Sequence, residues 1–162
     1  MATVMNPRSH QLMTTRTAMQ KVCIALGILF ILAGLGGIVM PDLMGMHLSM
    51  MHNLIHLVSG GLSLWVGYSD DVRRAYLFSI TFGIIYGLLG IGGFFFGVPG
   101  YPGVGNMQAD PNLLRLVPNV LEFGTADHTV HLIFSLVFLV SAIMWKSSRA
   151  NLGQRSDFER KL

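Results

Sequence analysis

Four long apolar runs, Val22–Met40, about Leu48–Tyr68, Tyr76–Val98 and His128–Trp145, decide more about this chain than any motif within it. Each approaches the roughly 20 residues that cross a hydrocarbon core as a helix. Lipid offers no partner to free N–H and C=O groups, so runs of this length must close their hydrogen bonds internally. No proline interrupts any of the four. Only 12% of the residues are charged, against about 25% in ordinary soluble domains. The expectation is an all-α membrane protein with four transmembrane helices over 22–40, 48–68, 76–98 and 128–145. Its membrane domain covers 22–146 with an outer loop over 99–127, and tails cover 1–21 and 147–162.

Charge placement orients these spans. Ten of the eleven Lys and Arg residues lie before the first span, between the second and third, or after the fourth; only Arg115 falls on the other side. Positive charge collects on cytoplasmic segments, which puts both termini in the cytoplasm. Trp65, Tyr68, Tyr76 and Trp145 mark the cytoplasmic span ends, where amphipathic rings favour the headgroup layer. The net charge of +3 is thus a topology signal, and its dispersal over three segments argues against nucleic acid as a partner. Cys23 is the single cysteine, so no internal disulfide is available.

The chain also resembles itself. GILFILAGLGG (Gly27–Gly37) lies over GIIYGLLGIGG (Gly83–Gly93) at an offset of 56, and NLIHLVSG (Asn53–Gly60) lies over HTVHLIFS (His128–Ser135) at an offset of 75. His56 then pairs with His131. Both helix pairs start in the cytoplasm, so the expected repeat is parallel, with a pseudo-twofold axis along the membrane normal. Gly83, Gly87, Gly90 and Gly97 form one stripe of the third span, while His52, His56, Gly60, Ser63 and Gly67 share a face of the second. Small stripes permit close helix approach, and histidines that share such faces should point into the bundle.

The stretch MGMHLSMMHNLIH (Met44–His56) concentrates the candidate chemistry. His52 and His56 at i, i+4 present two imidazoles on one helix face, and His128 and His131 at i, i+3 do the same on the fourth span, so these four are the candidate metal ligands. Asp127 and Asn53 are candidates to orient the rings from behind. Met44, Met46, Met50 and Met51 are soft donors suited to Cu(I), and equally ordinary apolar filler. His56 and His131, one from each repeat, are the candidate axial pair for haem b. Catalytic residues are not indicated: there is no Gly-x-Ser-x-Gly elbow, phosphate loop, dinucleotide fingerprint or HExxH run. In the outer loop, PGYPGVGNMQADP reads as irregular and NLLRLVPNVLEF as an interfacial or capping segment, with Pro118 arguing against a long helix.

The segments MMHNLIHLVSGGLSL and TADHTVHLIFSLVFLVSA resemble the bacterial four-helix membrane proteins known as domain of unknown function 4383. The resemblance implies a His-Asn-x-x-His-Leu motif opening the second helix, here His52, Asn53, His56 and Leu57. It also implies a Thr-Ala-Asp-Asn-x-x-His-Leu motif opening the fourth, here with His128 in place of the asparagine. It further implies a multi-pass protein of the bacterial cytoplasmic membrane, and brings no activity. The leading expectation is a non-enzymatic bundle whose outward histidine cluster hydrogen-bonds across helices and can take a small ligand or metal. The alternative is a haem- or copper-binding subunit of a larger membrane complex. Beyond the bilayer, other membrane subunits or further copies of the chain are the partners left open.

Overall fold

In the computed structural model, which describes residues 16–103 and 108–159 with side chains through 151, four helices carry most of the chain. The N-terminal tail as far as residue 15, and residues 104–107 of the outer loop, lie outside the described residues. Helix α1 (Ala18–Val39) begins in a capping box: Gln20 N–H donates to Thr17 Oγ1, and Thr17 N–H donates to Gln20 Oε1. The Gln20 amide then donates to the Ser69 carbonyl at 2.7 Å, tying this start to the end of α2 (Met50–Tyr68). Helices α3 (Val72–Phe96) and α4 (Thr125–Glu159) form the second hairpin. The last helix continues well into the expected C-terminal tail.

Three of these helices, α1, α3 and α4, are long and apolar enough to cross a membrane. Helix α2 differs because its buried face carries His52, Asn53, His56, Ser59 and Ser63. The side chains turned outward from all four helices are large and apolar, among them Leu32, Leu62, Leu88 and Leu136. Such a surface is compatible with a lipid environment.

Small residues fix how the hairpins close. Gly34 sits against the Asn53 carbonyl and Leu57, and Gly27 against Gly60 and Leu64. On the other hairpin, Gly90 sits against the His128 carbonyl and Leu132, and Gly83 against Leu139. A Cβ at Gly34, Gly83 or Gly90 would press on the facing helix at under 3.0 Å, and one at Gly27 would be tight against it at 3.0 Å. Between the hairpins, Cys23 Sγ meets Ser79 Oγ at 3.4 Å, and the Phe30 and Tyr86 rings stack at 5.3 Å. Phe30, Phe134 and Phe138 extend this contact into an aromatic core. At the far end Arg16, Arg74 and Arg149 lie over the faces of Tyr68, Trp65 and Trp145, as cations near interfacial aromatic rings do.

The expectation for 99–127 requires correction. The segment is a three-stranded antiparallel sheet of β1 (Val98–Gly100), β2 (Asp110–Val117) and β3 (Leu121–Phe123), with β2 in the centre. Pro118 and Asn119 make the β2–β3 turn, Asn119 at φ 62°, which is the chemistry of a type II turn with proline second and a left-handed asparagine third. Val120 N–H closes it on the Val117 carbonyl. Arg115 pairs with Glu122 across the strands at 3.2 Å. Leu113 and Phe123 are buried beneath the sheet, so it lids the histidine end of the bundle.

Candidate metal centre

Local structure delivers three histidines to one point. A short 3₁₀ turn (Leu43–Gly45) reverses the chain after α1, and Ser49 caps α2 by accepting from His52 N–H while its hydroxyl donates to the Val120 carbonyl. His52 and His56 then stand one turn apart on the inner face of α2, their ring centroids 4.4 Å apart. His131 on α4 faces them, 6.0 Å from the His52 ring. One ring nitrogen from each of His52, His56 and His131 lies within 4.8 Å of the other two. The three residues are 1%, 4% and 3% exposed, too little for bulk water to serve their nitrogens. His52 Nε2, His56 Nδ1 and His131 Nδ1 are buried with no hydrogen-bond partner among the described residues.

His52 is the best oriented. Its Nδ1 stands 2.9 Å from the His47 carbonyl. A carbonyl only accepts, so Nδ1 carries the proton and Nε2 keeps its lone pair for a ligand. Asp127 anchors this arrangement: its Oδ2 accepts from the N–H groups of His47 at 3.0 Å and Gly124 at 2.8 Å, while its Oδ1 faces His52 Nδ1 at 4.0 Å. The carboxylate therefore holds the loop whose carbonyl sets the tautomer. Backing groups of this kind fix ligand orientation in metal sites.

Not every expected ligand joins. His128 turns toward the sheet, where its Nε2 meets the Asn112 carbonyl at 2.8 Å and its ring packs on Gly93 and Phe94. Cross-element hydrogen bonding, the role first expected of the histidines, thus describes His128. Asn53 supports the loop rather than the rings, donating to the Leu48 carbonyl at 3.2 Å. Met44, Met50 and Met51 are exposed, whereas Met46 is buried; the three converging side chains are imidazoles.

Three contributors escaped the sequence reading. His47 supplies the carbonyl for His52, and its Nε2 lies 3.5 Å from Asp110 Oδ2. Burial by itself would raise the Asp110 carboxyl, but donation from Asn112 N–H and from the Thr125 N–H and hydroxyl, with His47 beside it, holds it below its ordinary value. Tyr86 stands 5.0 Å from the His131 ring and lines the same cavity as Ser59. Phe123 packs edge-on to His52 and His131 at 4.9 and 5.3 Å. The position of His47, five residues before His52, was the available signal for the first. The other two needed the fold.

The rings border a cavity of about 300 Å³. A larger groove of about 530 Å³ runs between α1 and α4 beside Ala18 and Trp145, but among the described residues Ser141 and Ser148 are its polar lining, with no titratable side chain. No protein-family model, curated protein or solved structure matches this chain.

Proposed function

We propose that this chain is a four-span protein of the bacterial cytoplasmic membrane, of the domain of unknown function 4383 type, that binds a transition-metal ion near its outer face. The observation that carries the metal reading is the convergence of three buried imidazoles with unpartnered nitrogens, one of them fixed in the ligating tautomer. Neutral imidazole suits zinc, copper and nickel. Tetrahedral coordination with Zn–N bonds of about 2.1 Å would need nitrogens about 3.4 Å apart, against separations of up to 4.8 Å here. Three protein ligands leave the fourth position free.

The fourth span is α2. Its polar residues face inward, whereas Leu54, Ile55, Val58, Leu62 and Trp65 are turned out, which suits a helix wrapped by lipid on one side and by protein on the other. The parallel repeat draws support from matched contacts. At offsets of 56 and 75, Gly34 against Asn53 and Leu57 becomes Gly90 against His128 and Leu132, and Gly27 against Leu64 becomes Gly83 against Leu139. Cys23 with Ser79, and Phe30 with Tyr86, are pairs of equivalent residues that touch each other, as residues beside a twofold axis do. His56 and His131 flank that same axis. The charge distribution orients both termini to the cytoplasm.

Haem fits this centre less well. A macrocycle between His56 and His131 needs an open slot, and the His52 ring stands 4.4 Å from one and 6.0 Å from the other. The test is elemental analysis of protein purified in detergent without chelator, followed by zinc, cobalt and copper titration of the metal-free form. The expected result is one ion per chain, lost in His56→Leu and in His131→Leu. Absence of any stoichiometric ion after titration rejects the reading.

A further inference from the structure

We propose that the cavity beside the histidines seats a lipid-soluble phenol, an aromatic ring with an apolar tail, whose oxygen takes the open position on the metal. This rests on the metal reading above.

The cavity holds about 300 Å³, some ten times the roughly 30 Å³ share of one water. Its lining divides into two chemistries. The histidine end has Tyr86 and Ser59 beside the rings, while Ile55, Ile85, Leu89, Leu116 and Leu121 line the remainder, with no Asp, Glu, Lys or Arg among the described residues. Such a space rewards a ligand with one polar atom and an apolar body. Phe82, Tyr86 and Phe123 stand around it, Tyr86 and Phe123 each against His131. Aromatic walls favour a flat ring in offset or edge-on contact.

Access is lateral. Leu116, Leu121 and Phe123 of the sheet close the outer end, whereas Ile55 and Ile85, 38% and 46% exposed, form a mouth between α2 and α3. Each of these helices packs mainly on its own hairpin partner, α2 on α1 and α3 on α4. The mouth faces lipid, so the ligand arrives dissolved in the membrane with its tail trailing outward.

Charge selects the head group. A divalent ion on three neutral imidazoles has Asp127 as its nearby carboxylate, which leaves one positive charge to be offset in a low-dielectric site. A phenolate oxygen would supply the offsetting negative charge, taking the position that a hydroxide would otherwise hold, with the phenol proton leaving on that hydroxide as water. A fatty carboxylate supplies the charge without the ring, and an alkylbenzene the ring without the charge.

The experiment uses full-length protein in detergent loaded with cobalt(II), whose visible bands report coordination, and titrates 4-octylphenol. A saturable change in those bands is expected, at least tenfold weaker with octanoate and absent with octylbenzene. Ile85→Trp and Leu121→Trp, which add bulk to the lining from a helix and from the sheet, should each weaken the phenol response at least tenfold while leaving cobalt affinity and helical content intact. Cobalt that binds but ignores octylphenol overturns the proposal and spares the metal reading. Octanoate binding as tightly, or an undiminished response in both cavity-filled variants, also overturns it. Failure of cobalt to bind overturns both.

Discussion

Four histidines that look alike in the sequence do different work because their neighbours differ. His128 donates to a strand carbonyl, so His128→Leu leaves the half-buried Asn112 carbonyl without that partner, at a cost of about 1 kcal/mol. Metal affinity should survive that change. His56 and His131 have no such partner at Nδ1, so replacing either with leucine should remove the ion while thermal stability changes little in the metal-free form. Titrating the three variants in parallel, alongside thermal scans, checks the division of labour. If His128→Leu loses the ion and His56→Leu keeps it, the assignment is reversed. Asp127 sits one step behind: Asp127→Asn should lower metal affinity about 10–100-fold, the usual loss for a backing group, measured by competition with a chromogenic chelator. An unchanged affinity would mean that the His47 carbonyl holds its place unaided.

At the scale of elements, the three-stranded sheet is held by a buried acid. Burial alone would raise the Glu122 carboxyl, but the N–H groups of Asn119 and Gly103 and the Arg115 guanidinium outweigh it and lower it from its ordinary 4.5. A depressed folded value means that the stabilisation is fully present above pH 4.5 and fades as pH falls through the lower folded value. Thermal unfolding of wild type and Glu122→Gln between pH 7 and 3 should therefore converge at the acid end. Parallel curves across that range would assign the sheet's stability to something else. The sheet was hard to read because its strands are short and flank a turn, and Leu113, Leu114, Leu116 and Val117 around Arg115 resemble an interfacial helix as much as a strand. Pro118–Asn119 was the available clue, since proline followed by a left-handed asparagine is turn chemistry.

For the whole molecule, matched glycine contacts in the two hairpins make an energetic claim. Gly34→Val and Gly90→Val should each cost about 1–3 kcal/mol by forcing a packed helix pair apart, and by similar amounts if the halves are equivalent. Unfolding in detergent measures both, and a neutral Gly90→Val beside a damaging Gly34→Val would deny the equivalence. A reporter fused after Lys161 should be active on the cytoplasmic side; an external reporter would overturn the charge argument. The helices could be located from sequence because lipid solvation leaves an apolar run of this length essentially one conformation, and the glycine stripe of α3 does meet α4 through Gly83, Gly87 and Gly90. The i, i+4 spacing likewise put His52 and His56 on one face. Which nitrogens remain without a partner, and where a ring finds space, depended on contacts between segments distant in the chain. His128 left the cluster because β2 offered it a carbonyl, Asp127 joined by gripping the His47 loop, and a strand that carries Phe123 closed the cavity. Sequence periodicity fixes which side chains share a helix face, because that geometry is local; partners for buried polar atoms are decided only when the hairpins and the sheet meet.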